Sequence, residues 1–394
     1  MLLIYTFLLF ILCRAFRKNR PLSYSLAIFY FVSAVCAILF KLLDPDNIFF
    51  FQTEYSPLIF LIICLTIWFF GFYEFKAFNI SHSQSYQFKF NRICRYVGLL
   101  YFPFVLILAY NAFRVLLFAN LTVYRIEADW YSFLQGGVFL SAGIYLSVLS
   151  FVPHFLLFLS YYYKTPTLTR ILLFLASFSF ALTTLCFAGR DGVAYWLMNS
   201  VVFYFILQKG YTTQFKKKLI RGALILGGVM LLPIIAISAA RFTEGSSSIK
   251  DLFLPVLSYI GQPPHIFCQA YRIDPSTIRG LETQTMTQSQ FESSQFYLTY
   301  TFGTFIKKYY WAYGFFGTIG VSVLYALLSR FFVRLYNSSG SIWIFFIIYT
   351  IFQIPLYGVF YYRQSLQRME IIYLLFAFFC LFQYLTHRGK KNLK

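Results

Sequence analysis

Apolar runs long enough to cross a lipid bilayer follow one another along almost the whole chain. A hydrocarbon core of about 30 Å needs roughly 20 mostly apolar residues for one helical crossing. Such runs occur about 11 times, with short polar stretches between most of them. They are continuous runs of Leu, Ile and Phe rather than the alternating segments of about ten residues that form a β-barrel. The sequence therefore predicts an all-α, polytopic transmembrane helix bundle.

The composition agrees with one integral membrane domain over residues 1–394. Hydrophobic residues make up 59% of the chain and charged residues 12%, which excludes a water-soluble domain with an ordinary polar surface. The first run is short, and its basic residues follow it, the reverse of their order in a cleavable signal peptide. If this run does not insert, about 10 spans remain. The predicted spans are 1–13, 22–43, 57–75, 97–118, 136–162, 170–188, 192–208, 222–240, 311–329, 341–360 and 370–386.

Basic residues lie mainly in alternate connections between these spans. By the positive-inside rule those connections face the cytoplasm, which places the C-terminus there and the N-terminus, if the first run inserts, on the opposite side. Of the 13 acidic residues only Glu74 falls on the predicted cytoplasmic side. The formal net charge of +20 is thus a topology signal with attraction to anionic membrane lipids, and not a nucleic-acid-binding surface. The basic connections are 14–20, 76–95, 164–170, 209–221, 330–334 and 388–394.

One connection is far longer than the others. Residues 241–310 lie between the predicted eighth and ninth spans, whereas a connection usually has roughly 4 to 6 residues. Two apolar pieces within it, 251–260 and 296–308, are too short to span and are predicted to be helices at the membrane interface or packed against the bundle. The polar parts are predicted to form a cap over a membrane cavity. Function is expected in this outer loop.

Arginines collect on the same side as the long loop. Arg190 occupies the "GRD" turn between the sixth and seventh predicted spans, and Arg241 ends the eighth. A guanidinium group binds phosphate oxygens bidentately, so these residues suit an anionic group at a membrane surface, most simply a lipid phosphate. The alternative is that each is a solvated helix end or an interface anchor. The same side also carries Arg272, Arg279, Lys307, Lys308, Arg363 and Arg368.

Three of these features together resemble one family of bacterial membrane enzymes. They are the Gly-Arg turn at Arg190, Arg241 at the opening of the large loop, and the Thr- and Tyr-rich exit of that loop, "YLTYTFGTFIKKYYWAYGFFGTIG". The layout is similar to the Wzy-type O-antigen and oligosaccharide repeat-unit polymerases, and it resembles GT-C-like membrane glycosyltransferases in general. The architecture covers nearly the whole chain, and the motifs that carry the resemblance are short.

The resemblance implies that a growing glycan moves from undecaprenyl pyrophosphate to the terminal sugar of a new lipid-linked repeat unit, in the bacterial inner membrane with the loop in the periplasm. The donor and acceptor lipids are the implied partners, together with a chain-length regulator, and no cofactor or metal is implied. The leaving pyrophosphate needs fixed cations, so Arg190 and Arg241 are the predicted catalytic arginines. The predicted substrate-binding residues are Asp191, Arg272, Arg279, Tyr300 and Arg363.

A general base must take the proton of the acceptor hydroxyl. His265 is the single histidine in the long loop and is predicted to be this catalytic base. The alternative is that His265, which follows "GQPP", packs against a turn. The histidines and cysteines of the chain show no metal-ligand spacing. Rival candidates for the base are Asp191, Glu244, Asp251 and Glu282. An equal alternative for Asp191 is that it forms a salt bridge with Arg190 or orients that arginine.

Three other functions compete with polymerisation. An O-antigen ligase has a similar bundle, loop and donor, but its acceptor is the lipid A core. A flippase or other transporter predicts charged residues along a path within the helices, whereas only Arg114 lies well inside a predicted span. A non-catalytic scaffold would not need a charged cap of this length.

Overall fold

The structure, a computed structural model, describes residues 1–16, 20–45, 55–76, 84–119, 133–189, 191–217, 221–222, 228, 249–272, 303–360 and 369–392. Across these ranges all regular secondary structure is helical and no strand occurs. The prediction of an all-α protein is therefore confirmed for the described residues. A helix suits such apolar runs because it satisfies its backbone hydrogen-bonding groups internally.

The helices follow the predicted apolar runs. In one of them Pro21 is the first helical residue, a position that proline favours because its missing N–H would have no partner there. In chain order the helices are α1 (Leu2–Phe16), α2 (Pro21–Leu43), α3 (Tyr55–Gly71), α4 (Gln84–Phe118), α5 (Gly137–Ser147), α6 (Phe151–Tyr162), α7 (Thr167–Ser177), α8 (Ser179–Cys186), α9 (Asp191–Leu207), α10 (Ile249–Tyr271), α11 (Phe305–Ser339), α12 (Ile342–Tyr357) and α13 (Met369–Asn392).

Within the described residues, 4 helical stretches are long and apolar enough to cross a membrane. They are α2, Lys89–Phe118 of α4, Thr167–Cys186 across α7 and α8, and α11. The pair α5 and α6 adds another if it is one span bent by 62°. The apolar parts of α1, α3, α12 and α13 are shorter. The total of about 11 spans stays a prediction, and most of the predicted span 222–240 lies outside the described residues.

The chain divides into two compact units. The first comprises residues 1–76 and 253–394, and the second comprises residues 77–252. No feature of the sequence predicts this division, because the apolar runs of both units are alike. The predicted site residues are therefore distributed over two separate packing environments.

In the first unit, hydroxyl groups fix the position of α2 against its neighbours. Ser23 Oγ donates to the Phe69 carbonyl of α3 at 2.7 Å, and the Tyr30 hydroxyl donates to the Pro355 carbonyl of α12 at 3.0 Å. All four residues are buried. Such bonds between helices specify one arrangement among apolar surfaces that would otherwise pack in several ways.

The long predicted loop contains a helix. The apolar piece 251–260 belongs to α10, which continues to Tyr271. This helix packs on α2, where Ser33 Oγ donates to the Ile260 carbonyl at 2.7 Å. The prediction that 251–260 is a helix packed against the bundle is therefore confirmed. The other apolar piece, 296–308, is described only from residue 303 onward.

In the second unit, polar contacts hold α8 in place. Thr183 Oγ1 donates to Ser147 Oγ of α5 at 2.9 Å. Cys186 Sγ, at the end of α8, donates to the Leu108 carbonyl of α4 at 3.4 Å. These contacts matter for the site because α8 ends immediately before the predicted "GRD" turn.

At one end of the first unit, α3 and α11 meet through an exposed ionic cluster. Glu74 accepts hydrogen bonds from Arg330 Nε at 2.9 Å and from Arg334 Nε at 3.0 Å. Hydrogen bonds from Arg334 and Arg330 lower the pKa of Glu74 to about 2. The C-terminal ends of α3 and α11, which precede connections predicted to be cytoplasmic, thus lie at the same end of this unit.

Candidate functional site

The "GRD" turn joins α8 to α9 in a tightly built corner. Ala188 has a φ of 49°, and the Gly189 N–H donates to the Thr184 carbonyl at 2.7 Å. An added Cβ at Gly189 would lie 3.0 Å from the Thr184 carbonyl oxygen and 3.0 Å from Asp191 Oδ1. The corner therefore favours a glycine at this position, since a side chain would meet close neighbours on two sides. Arg190 itself lies outside the described residues, while its neighbours on both sides are placed.

A second glycine lets the two helices of this corner approach closely. An added Cβ at Gly192 would meet the Thr184 hydroxyl, and it would lie 2.8 Å from the Phe180 carbonyl oxygen and 2.9 Å from Ala181 Cα. Backbone atoms in a packed helix cannot move aside as the end of a flexible side chain can. Gly192 is therefore required by the crossing of α8 and α9.

Asp191 is the first residue of α9, and only 9% of it is exposed. A carboxylate in the first turn of a helix is stabilised by the partial positive charge of the helix N-terminus. The corner thus holds a buried carboxylate next in the chain to Arg190. The guanidinium of Arg190 can bind an anionic ligand. The carboxylate of Asp191 can orient that ligand or accept a proton from it.

His265 lies within α10 and is enclosed by the contact of α10 with α2. Only 1% of the residue is exposed, and His265 Nε2 lies 3.5 Å from the Ala37 carbonyl oxygen. Gly261, one turn earlier, would place an added Cβ 2.6 Å from the backbone of Cys36 and Ala37. His265 is thus a packed residue, although it packs against α2 and not against the turn that was predicted as the alternative.

The other predicted site residues divide between described and undescribed positions. Arg272 follows α10 with its side chain exposed, and its N–H donates to the Gln269 carbonyl at 3.2 Å. Asp191 belongs to the second unit, whereas His265 and Arg272 belong to the first. The predicted positions outside the described residues are Arg190, Arg241, Arg279, Tyr300 and Arg363.

Helix α11 is interrupted by a sharp reversal. Gly314 has φ 68° and ψ −167°, a conformation open in practice only to glycine, and it separates a first arm, 305–313, from a second arm, 315–339. An added Cβ at Gly317 would lie 2.5 Å from Tyr313 Cβ, so the two arms are close beside the reversal. The sequence prediction of a span over 311–329 did not include this break.

Contacts with α3 show that the two arms form a hairpin. The Phe305 ring lies 4.8 Å from the ring of Trp68, near the C-terminal end of α3. The Phe315 ring lies 4.7 Å from that of Phe60, in the N-terminal half of α3, and the Tyr325 ring lies 4.6 Å from Trp68 again. The first arm therefore runs antiparallel to α3 and the second runs parallel to it. The N-terminus of α11 is thus inside the first unit, at the depth of Trp68.

This N-terminus carries a buried lysine. Lys307 is 6% exposed, and its Nζ lies 5.0 Å from the centroid of the Trp311 ring. An added Cβ at Gly303 would lie 2.8 Å from Lys307 Cδ and 3.1 Å from Ile266 Cγ2, so glycine makes room for the lysine stem. The Phe305 N–H donates to the Gly358 carbonyl, beyond the end of α12, at 3.0 Å.

The sequence predicts Lys307 to be one of several basic residues on the side of the long loop. It does not predict a binding role for Lys307 in particular. The available signal was a lysine pair, Lys307 and Lys308, within an apolar stretch preceded by "TFGT". The structure separates the two, because Lys307 is buried and Lys308 is exposed. Only the position of the first arm makes this distinction.

The first arm is tied to the end of α10. Trp311 Nε1 donates to the Ala270 carbonyl at 3.0 Å, and the Tyr310 hydroxyl donates to the Tyr271 carbonyl at 3.1 Å. These carbonyl groups belong to the last turn of α10, so no N–H group of a later helical residue donates a hydrogen bond to them. The side chains of α11 therefore cap α10 and fix the helix that contains His265.

Three comparisons with known proteins found no match to this chain. No family model, no curated protein and no solved structure matches it. Among the described residues, no group of three or more His, Cys, Asp or Glu side chains could hold a metal ion. The candidate site therefore rests on the corner at Asp191 and the buried N-terminus of α11.

Proposed function

We propose that this protein is a membrane glycosyltransferase that polymerises undecaprenyl-pyrophosphate-linked oligosaccharide repeat units into O-antigen or another surface polysaccharide, at the periplasmic face of the bacterial inner membrane. The observation that carries the proposal is the corner between α8 and α9. There Gly189 and Gly192 build a tight turn that holds the buried Asp191 carboxylate next to Arg190 in the chain. The all-helical membrane fold and the resemblance of the turn to the repeat-unit polymerases support the same assignment.

In the proposed reaction, a hydroxyl oxygen of the acceptor sugar attacks the anomeric carbon of the donor glycan. The new glycosidic C–O bond forms as the bond from that carbon to the pyrophosphate oxygen breaks, and undecaprenyl pyrophosphate leaves with the bonding electron pair. Arg190 and Arg241 stabilise the charge that develops on the pyrophosphate. The proton of the acceptor hydroxyl passes to a general base.

We propose Asp191 as the general base, because it begins α9 directly after Arg190. A general base must lie within hydrogen-bond reach of the hydroxyl that it deprotonates, and Asp191 adjoins the arginine proposed to bind the donor. His265, the base predicted from sequence, is enclosed between α10 and α2. The role of His265 as general base is therefore tested against that of Asp191.

The experiment that tests the function is the electrophoretic pattern of the surface glycan in the host. The gene is deleted and then restored as the intact copy, as Arg190→Ala or as Arg190→Lys, with equal protein levels in the membrane. Deletion is expected to leave a band capped with a single repeat unit, and only the intact copy restores the full ladder. Lysine is expected to rescue little, because it lacks the planar bidentate fork. A ladder that survives deletion would exclude the proposal.

A transporter of lipid-linked glycan is the second candidate function, and one observation favours it. The buried Lys307 sits at the N-terminus of an interrupted helix, and transporters place such helix ends beside anionic substrate groups. The same deletion separates the two functions. Loss of even the single-repeat band, with lipid-linked units accumulating, indicates flipping or the O-antigen ligase reaction instead of polymerisation.

A further inference from the structure

The N-terminus of α11 has the charge distribution of an anion site. A helix N-terminus carries a partial positive charge, so acidic residues are favoured in its first turn. The first turn of α11 has no acidic residue and contains Lys307 and Lys308 instead. Of these two lysines, Lys307 is buried at the positive end of the helix, whereas Lys308 is exposed. A helix N-terminus with a buried lysine favours a bound anion.

The residue that should cap this helix supplies a second, independent observation. Thr304 occupies the N-cap position, where a threonine hydroxyl normally accepts a hydrogen bond from the first turn. Its side chain makes no capping bond, and its Oγ1 is buried without a hydrogen-bond partner among the described residues. Only 2% of Thr304 is exposed. A buried hydroxyl without a partner costs free energy, so a ligand that accepts its hydrogen bond would recover this cost.

The surrounding packing holds these groups in place. Gly303 admits the Lys307 stem, and the Phe305 N–H is held by the Gly358 carbonyl at 3.0 Å. An added Cβ at Gly358 would meet the Phe305 ring and would lie 2.6 Å from the Ile354 carbonyl oxygen. The helix end, the hydroxyl and the ammonium stem therefore have fixed positions, as a preorganised binding site requires.

We propose that the N-terminus of α11, with Thr304 and Lys307, binds the phosphate or pyrophosphate group of a polyprenyl lipid. The proposal rests on the proposed function, in which donor and acceptor each carry a lipid pyrophosphate. The corner at Asp191 in the second unit serves one lipid and the N-terminus of α11 in the first unit serves the other. The apolar walls at Ile266 and Trp311 suit a lipid-borne anion better than a free one.

The test measures equilibrium binding of radiolabelled undecaprenyl pyrophosphate to the full chain in phosphatidylcholine nanodiscs. Lys307→Met is expected to weaken binding at one of the two sites by about tenfold or more, because it removes a charge-assisted contact to phosphate. Lys308→Met is the matched control and is expected to keep both sites, since Lys308 is exposed. Equal binding by Lys307→Met and the intact protein overturns the inference.

Thr304→Val separates a binding role from a structural one. Because the Thr304 hydroxyl has no partner among the described residues, its removal is expected to leave the ligand-free protein at least as heat-stable as before. Lipid binding is expected to weaken several-fold at the same site. A variant that loses heat stability and keeps its affinity would show that Thr304 is structural and would contradict the proposal.

Competition experiments identify the source of the anion. A comparison of two variants distinguishes a failure of this inference from a failure of the proposed function. Undecaprenol, which lacks phosphate, is expected not to compete, and inorganic pyrophosphate is expected to compete far more weakly than the lipid. Competition by inorganic pyrophosphate as strong as that by the lipid would overturn the lipid assignment. If Arg190→Ala loses one site while Lys307→Met loses none, the polymerase proposal stands and only the α11 site is wrong.

Discussion

The corner between α8 and α9 and the N-terminus of α11 both depend on glycine for close packing. The charged side chains in the first turns of α9 and α11 have opposite signs. At the corner, glycine brings two helices together and the first helical residue is Asp191, as the helix N-terminus favours. At α11, Gly303 admits the stem of Lys307, which the same partial charge disfavours. One helix start therefore contains its own anion, whereas the other lacks an acidic residue in its first turn. The difference teaches that the Asp191 carboxylate is suited to orient or deprotonate a ligand held beside Arg190, whereas the N-terminus of α11 is suited to bind an anion alone.

The largest expected effect concerns the carboxylate of the corner. Asp191→Asn is expected to lower the rate of glycan polymerisation by about 10²- to 10⁴-fold, because the amide cannot accept the proton of the acceptor hydroxyl. His265→Asn serves as the comparison and is expected to retain most of the rate. The measurement is the initial rate with purified lipid-linked repeat units in proteoliposomes. The reverse order of the two variants would return the role of base to His265.

The next effect tests whether the corner depends on close helix contact. Gly192→Ala is expected to lower the free energy of unfolding by about 3 kcal/mol, because the new Cβ meets backbone atoms of α8. Gly320→Ala is the control within α11, where an added Cβ has no neighbour within 4 Å, and it should change stability by about 1 kcal/mol or less. Thermal unfolding in detergent measures both. Equal stability of the two variants would contradict the close crossing of α8 and α9.

A smaller loss is expected at the reversal that brings Lys307 into the first unit. Gly314→Ala is expected to cost about 2 kcal/mol, because alanine is strained at φ 68° and ψ −167°. Gly340→Ala, at φ 62° and ψ 16°, is expected to cost about 1 kcal/mol, since this is the ordinary left-handed region. Unfolding and polyprenyl-lipid binding are measured together. If Gly314→Ala leaves both unchanged, the hairpin does not position the anion site.

The smallest effect is expected at the other end of α11. Glu74→Gln removes the exposed ionic cluster with Arg330 and Arg334 and is expected to lower the Tm by about 2 °C or less. Because the pKa of Glu74 is lowered to about 2, the ionised carboxylate stabilises the folded protein fully at a pH above its ordinary pKa. This stabilisation is lost as the pH falls to the lowered pKa of about 2. The difference in Tm between Glu74→Gln and the intact protein should therefore be constant from about pH 6 to about pH 8. A difference that varies over this range would show that the contribution of Glu74 is coupled to another titrating group and would contradict the prediction.

The sequence predicts the helices and part of the site. The "GRD" turn could be singled out because a charged pair between two apolar runs is unusual, and the structure places a closely packed corner there. Lys307 could not be distinguished from Lys308, because adjacent residues share one hydropathy pattern and differ only in the direction of their side chains. His265 was assigned by its residue type, whereas its environment depends on α2, which is remote in sequence.

The sequence by itself determined that this protein is helical and where most of its helices lie, because the length of an apolar run and the need to satisfy backbone groups are local properties. Tertiary structure alone decided the division into two units, the reversal at Gly314 and the burial of Lys307. Each of these depends on which distant residues meet, such as Trp68 with Phe305 and Gly358 with Phe305. A linear pattern of hydropathy records how apolar a residue is and not which neighbour it will contact.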